Sequence, residues 1–308
     1  MLLVLEIVVF TARSPAFISP GNISNLLAFT PELGMISLGM TLLMVSGEFD
    51  LSVGSVFGFA PIVMWTFYNT HTTSLEIGFL VAMLISAVIG FVNGWFVTKL
   101  KIPSFLVTLG MLLVVRGTAL YITDGFPQRT WTSDSLLMRV IVGEFRLADL
   151  RIYTSLLWFI FFAIILGYVL AGSKAGNWIL ASGGNPEAAR ARGVRVTRTK
   201  MTLFILTALI SAYAGITSSI RVSAANPNSG TGYELEVIAM VVIGGTALSG
   251  GRGTIVGTVL GVLILRMMRN GIVLIGVPGL AYNIFIGGII LGMMALHSWL
   301  ERRHRTGT

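Results

Sequence analysis

The chain has 308 residues, 55% of them hydrophobic and only 11% charged, with a formal charge of +8 and no cysteine. A soluble domain carries roughly 25% charged residues, so a soluble globular protein is excluded, as are a disulfide scaffold and a zinc site built on thiolates. Three scattered histidines, His71, His297 and His304, make no metal cluster, and a mean hydropathy of +0.86 identifies an all-α polytopic membrane protein.

A spanning helix needs about 20 mostly apolar residues, and apolar segments recur along the whole chain. The first, 2–10, would rise only about 14 Å and contains Glu6. Either the chain starts inside its first helix or this segment is interfacial; no basic run or small-residue cleavage site marks a signal peptide. The next, 32–46, runs into GEFDLSVGS at 47–55 and then into 52–68. Short, glycine-broken apolar segments are the best sequence pointer to a transport pathway, because broken helices expose backbone polar groups to a cavity. Gly47, Glu48, Asp50 and Ser52 are therefore pathway or hinge candidates. A bilayer-centre acid costs about 2.5–3.5 kcal/mol, so Glu48 and Asp50 sit at an interface, in a wet cavity or protonated. The competing reading is a cytoplasmic turn with two solvated acids, followed by a helix capped by Ser52.

Segment 75–97 carries Asn93, a substrate contact or a helix–helix hydrogen bond, and 103–122 carries the candidates Thr108 and Arg116. Arg116 is expected to snorkel to the outer interface. An external loop covers 123–151, followed by segment 152–171 and a cytoplasmic loop at 173–200. That loop contains GGNPEAARARG, at 183–193. Asn185 suits an N-cap, Pro186 the first helical position and Glu187 the positive helix end, and Gly193 closes the helix. A short polar helix over 185–193 is predicted, held by lipid headgroups or docking a cytoplasmic partner.

Segment 201–220 precedes 236–249, which ends in TALSGGRGT (246–254) and continues into 254–268. This second break adds Gly244, Gly245, Gly250 and Gly251 to the pathway or hinge candidates. VGSVFG at 53–58 and VGTVLG at 256–261 match at four of six positions, a faint internal repeat. Segment 279–298 completes about ten helices, some short or broken, on an N-in, C-in path. On that path twelve of the 21 Lys and Arg are cytoplasmic, eight external, counting Arg266 at the outer end of 254–268, and Arg116 intramembrane. The excess charge is thus a topology signal, and no nucleic-acid partner is expected.

LSGG at 248–251 matches the start of an ATPase signature, but no phosphate loop with a Lys before Ser or Thr accompanies it. ATP binding by this chain is excluded on that ground. A membrane enzyme would need converging His or carboxylates, and a secondary transporter would need intramembrane ionisable groups; only Arg116, Glu48 and Asp50 qualify.

Four stretches together resemble the ribose/xylose-type permease subunits of bacterial ABC importers, in the branched-chain amino acid/ribose permease superfamily. They are GEFDLSVGS (47–55), KIPSFLVTLGMLLVVRG (101–117), ASGGNPEAARARGV (181–194) and VIGGTALSGGRGTIVGTVLG (242–261). The resemblance implies a single permease domain over 1–308 with type II-like architecture, in the cytoplasmic (inner) membrane. It also implies a second permease subunit, identical or similar, and a periplasmic sugar-binding protein. Cytoplasmic ATPase subunits, or one fused double ATPase, bind the ATP and Mg²⁺, so this subunit needs no cofactor and has no catalytic residues. Gly183, Gly184, Asn185, Pro186, Glu187, Ala188, Ala189, Arg190, Ala191, Arg192 and Gly193 would form the coupling helix seated on the ATPase. The chain departs from the family pattern in its short first segment and in Glu48-Phe49 ahead of Asp50. The expected solute is a monosaccharide or related polyol, since a charged solute calls for matching pore charges; a branched-chain amino acid or nucleoside permease is the alternative.

Overall fold

The computed structural model describes residues 2–71, 74–130, 135–282, 284–285, 287–288 and 291–292. In chain order the first helices are α1 (Leu2–Arg13), α2 (Pro20–Val45), α3 (Val53–His71), α4 (Leu75–Lys99) and α5 (Ser104–Ile122). A small module of short elements follows, with strand β1 (Gln128–Arg129), α6 (Leu136–Val142) and the antiparallel hairpin β2 (Glu144–Leu147) and β3 (Leu150–Tyr153). Then come α7 (Thr154–Gly172), α8 (Lys174–Gly184), α9 (Pro186–Ala191), α10 (Val196–Val222), β4 (Ala224–Ala225), α11 (Tyr233–Ile243) and α12 (Ile255–Leu274).

Among the described residues, α2, α4, α5, α7, α10 and α12 are long and apolar enough to cross a membrane. The other expected segments differ for identifiable reasons. Helices α1 and α11 have only 12 and 11 residues. Helix α3 has 19 but ends in the polar Tyr68-Asn69-Thr70-His71, and half of 279–298 lies outside the described residues.

Local chemistry sets the helix starts. The Ser19, Ser74 and Thr254 hydroxyls accept N–H bonds from Asn22, Ile77 and Gly257, at 3.3, 3.4 and 3.0 Å. Pro20 suits the first position of α2.

Two helices run through the centre. The apolar windows of α2 and α10 are 83% and 78% buried, whereas those of α5 and α7 are 17% and 22% buried and turn their Leu, Ile and Phe outward. Small residues let backbones approach in such bundles. A Cβ on Gly90 of α4 would lie 2.7 Å from Ile205 Cα of α10, and one on Gly94 3.0 Å from Met201 Cα.

Cross-chain bonds define the two ends of the bundle. At one end the Ser24 hydroxyl accepts the Arg151 N–H at 3.0 Å. There Thr66 also bonds Gln128 at 2.8 Å, and β1 pairs with β4. The opposite end gathers residues 46–52, the 100–103 turn, α8, α9 and 244–254.

Candidate functional site

Both predicted breaks are non-helical. Residues 46–52 separate α2 from α3, and 244–254 separate α11 from α12. The first break closes earlier than expected, since α3 begins at Val53. In each case the echoing six-residue run opens the following helix, and its two glycines abut backbone oxygens. Gly54 and Gly58 face the Gly230 and Ser229 carbonyls, while Gly257 and Gly261 face those of Gly244 and Met240.

At the first break, four of the sequence candidates converge. Asp50, Ser52, Asn93 and Thr108 are all fully buried. Asp50 Oδ1 accepts the Ser52 backbone N–H at 2.7 Å and its hydroxyl at 2.5 Å. Asn93 Nδ2 donates to Asp50 Oδ2 at 3.3 Å and to Ser52 Oγ at 3.0 Å. The Leu51 N–H donates to Thr108 Oγ1 at 3.0 Å. Ser52 does occupy the position before α3, but its hydroxyl is turned to Asp50 rather than onto the helix. The Asp50 carboxyl, held by three donors, links the start of α3 to α4, and the neighbouring Leu51 N–H links the same turn to Thr108 of α5, so these buried polar groups are paired. Asn93 Oδ1 has no partner and is itself buried. Chemically the cluster offers a carboxylate, a hydroxyl and a carboxamide, a set suited to hydroxyl groups.

Asn93→Ala removes a donor from both Asp50 and Ser52 and should lower stability by about 1–3 kcal/mol. Thermal unfolding of the purified protein in detergent reads this, and an unchanged melting temperature would remove Asn93 from the network.

Glu48, expected with Asp50, is separated from it. Its carboxylate pairs with Lys200 Nζ at 2.6 Å, tying the first break to the start of α10. Arg116 corrects another expectation, for it does not snorkel outward. Its guanidinium reaches inward to the Ser229 carbonyl at 2.8 Å, to that of Gly54 at 3.2 Å and to that of Pro227. The loop before α11 supplies two of these three carbonyl acceptors, which the sequence position alone did not reveal.

The glycines of the two breaks meet those preceding α9. The Gly251 N–H donates to the Val45 carbonyl at 2.8 Å. A Cβ on Gly250 would lie 2.8 Å from Gly47 Cα, and one on Gly251 the same distance from Gly184 Cα. One on Gly183 would overlap the Val45 carbonyl oxygen and come within 2.6 Å of Gly251 N. Three chain segments thus touch backbone to backbone. Gly244 packs on Gly257, and Gly245, at φ +88°, has open space around it.

Helix α9 is narrower than the predicted 185–193, covering Pro186–Ala191. Its N-cap is Asn185, whose Oδ1 accepts the Ala188 N–H at 3.0 Å, and Gly193 closes it at φ +83°. Ala189 is buried against the protein, whereas Glu187, Ala188, Arg190, Ala191 and Arg192 are exposed. That leaves a small-residue face open.

Ionisable groups absent from the candidate set also lie within the bundle. Glu32 of α2 and Arg221 of α10 form a nearly buried pair, with the guanidinium stacked 3.8 Å from the Phe29 ring centre. Glu236 accepts the Tyr282 hydroxyl at 2.9 Å and lies 3.5 Å from Arg269. Both Glu32 and Arg221 fell at the ends of predicted segments. The helices extend past those ends because each residue neutralises the other, 189 positions apart in sequence. Among the described residues, no group of three His, Cys, Asp or Glu could hold a metal ion.

Comparison with known proteins finds sequence relatives along nearly the whole chain. The ribose import permease protein RbsC of Escherichia coli is 35% identical over 294 residues, covering 96% of this chain and 90% of that one. The L-arabinose ABC transporter permease protein AraH of Azospirillum brasilense is 34% identical, covering 94% of this chain and 84% of its own. The xylose/arabinose import permease protein XylH of Sulfolobus acidocaldarius is 32% identical, covering 95% and 82%. No solved structure gives a significant match. The family described as "Branched-chain amino acid transport system / permease component" matches residues 22–294. With nearly the whole chain matched by the family and by full-length relatives, the protein belongs to this family of transport permeases.

Proposed function

We propose that the chain is the membrane-spanning subunit of an ABC importer for a monosaccharide. Its relatives named for ribose, arabinose and xylose import support this reading. The observation that carries it is the Asp50–Ser52–Asn93–Thr108 cluster at a helix break, whose buried Asn93 Oδ1 has no donor. A sugar hydroxyl supplies that donor when the break opens.

On this reading two type II-like permease subunits, identical or similar, enclose the pathway, with N-in, C-in topology. A periplasmic binding protein delivers the sugar. A separate cytoplasmic ATPase binds ATP and Mg²⁺ and engages α9, and the glycine contacts among Gly47, Gly183, Gly184, Gly250 and Gly251 relay its movement to both breaks. The subunit performs no chemistry of its own. It changes which side of the membrane the polar cluster faces.

Uptake of labelled ribose, xylose and arabinose into cells with and without this subunit tests the proposal. Loss of uptake of one sugar, blocked by unlabelled pentose and indifferent to leucine or adenosine, is the expected result. Unchanged sugar uptake with loss of leucine or nucleoside uptake would overturn it.

A further inference from the structure

At the end of the bundle that holds α9, two adjoining cavities open between the 100–103 turn, α9 and the start of α10. One, of about 200 Å³, is lined by Glu48, Lys101, Arg190, Thr197 and Lys200 among others. The second, of about 270 Å³, is lined by Lys99, Arg190, Arg195, Thr197 and Arg198. Arg190, Val196 and Thr197 are common to both. Six cationic side chains therefore converge with a single carboxylate, Glu48, and Lys200 already occupies it at 2.6 Å. None of the other five forms an ion pair among the described residues.

A topology signal accounts for basic residues in a loop; it does not account for their convergence. Like charges gathered without counterions repel one another. The backbone also contributes to the gathering. Lys101 adopts a left-handed conformation, φ 57°, which L-residues rarely adopt outside glycine and Asn/Asp. The turn consequently delivers Lys99 to one cavity and Lys101 to the other.

Position and chemistry together define the missing counter-charge. Helix α4 leaves the apolar region at Lys99, and α5 re-enters it at Ser104. The cavities thus lie at headgroup depth, where basic pockets between spanning helices hold anionic headgroups. Each cavity, at about 200 and 270 Å³, has room for a phosphate together with part of its esterified headgroup. We propose that this pair of cavities is a binding site for the phosphate of an anionic phospholipid headgroup, held by Lys99, Lys101, Arg190, Arg195 and Arg198. The bound headgroup lies against α9 through Arg190.

The test uses the purified importer complex in detergent, with native mass spectrometry reading lipid retained during titration. Phosphatidylglycerol should bind about tenfold more tightly than phosphatidylcholine with the same acyl chains. The variant Lys99→Gln/Lys101→Gln/Arg195→Gln should reduce that preference to about twofold or less. A second variant, Lys174→Gln/Arg192→Gln/Arg252→Gln, removes the same charge outside the cavities and should keep the preference. Co-elution of the complex on gel filtration establishes that each variant is assembled. Retention of the preference in the cavity variant, or equal loss in both variants, would overturn the site. Release of phosphatidylglycerol by an equal concentration of inorganic phosphate would overturn the lipid assignment and make a soluble anion the occupant.

Discussion

The double substitution Ala188→Trp/Ala191→Trp is expected to cut sugar uptake by about 10- to 100-fold while leaving the protein inserted and folded. Ala188 and Ala191 are exposed on α9, three residues apart and so on one face. Arg192 borders that face, whereas Arg190 points away from it into the basic cavities. Two indoles on a face shaped for a shallow groove impose an overpacking cost of about 1.5–3 kcal/mol, and each 1.4 kcal/mol is about tenfold in occupancy. The helix itself should survive, because its Asn185 cap and Gly193 closure are untouched. Ala189, by contrast, is buried against the protein, and Trp there would disturb the subunit rather than the interface. Substrate-stimulated ATPase activity and uptake in proteoliposomes containing the complete importer measure the effect. Normal uptake by the doubly substituted protein would show that α9 is not where the ATPase engages. Arg192→Ala should do less, since an exposed rim charge is worth about 1 kcal/mol or below.

How much of this was legible in the sequence depends on how local the physics is. The short helix at 186–191 could be read almost residue by residue. Capping is settled by a few neighbouring atoms, and Asn185, Pro186 and Gly193 each do in the structure what their chemistry dictates. The two breaks were legible for the same reason, since clustered glycines and acids cannot continue an apolar helix. Their contents were not. Asp50 and Asn93 are 43 positions apart, and Leu51 and Thr108 are 57 apart. Nothing in either segment says that they share one buried cluster. Arg116 was assigned to the outer interface because hydropathy carries no information about the carbonyls of Pro227, Ser229 and Gly54 that it meets. The Glu32–Arg221 pair shows the same limit at a helix boundary. A charge at the edge of an apolar run reads as the end of the span, whereas a partner from another helix lets the span continue through it.

The same distinction between local and tertiary physics separates two glycines on either side of α9. Gly183→Ala and Gly193→Ala should have very different costs although they lie ten positions apart. At Gly193 the backbone is left-handed, φ +83°, but nothing lies within 4 Å of an added Cβ. Its replacement incurs only the conformational cost of an L-residue in that region, about 1–2 kcal/mol. At Gly183 the backbone φ is ordinary, but an added methyl would overlap the Val45 carbonyl oxygen and crowd Gly251 N at 2.6 Å. These are main-chain atoms, and they also make the 2.8 Å bond that ties the two breaks together. No rotamer change can relieve the overlap, so the three segments must separate. The cost should reach the top of the overpacking range, about 3 kcal/mol or more. Apparent melting temperatures of the two purified variants in detergent provide the comparison, with Gly183→Ala falling well below Gly193→Ala. Transport should follow the same order. Separation at Gly183 detaches α8 and α9 from Gly47 and Gly250, so Gly183→Ala molecules that remain folded should hydrolyse ATP without moving sugar. Equal stability of the two variants would mean that the backbone contact among these three segments is not the joint through which α9 reaches the helix breaks.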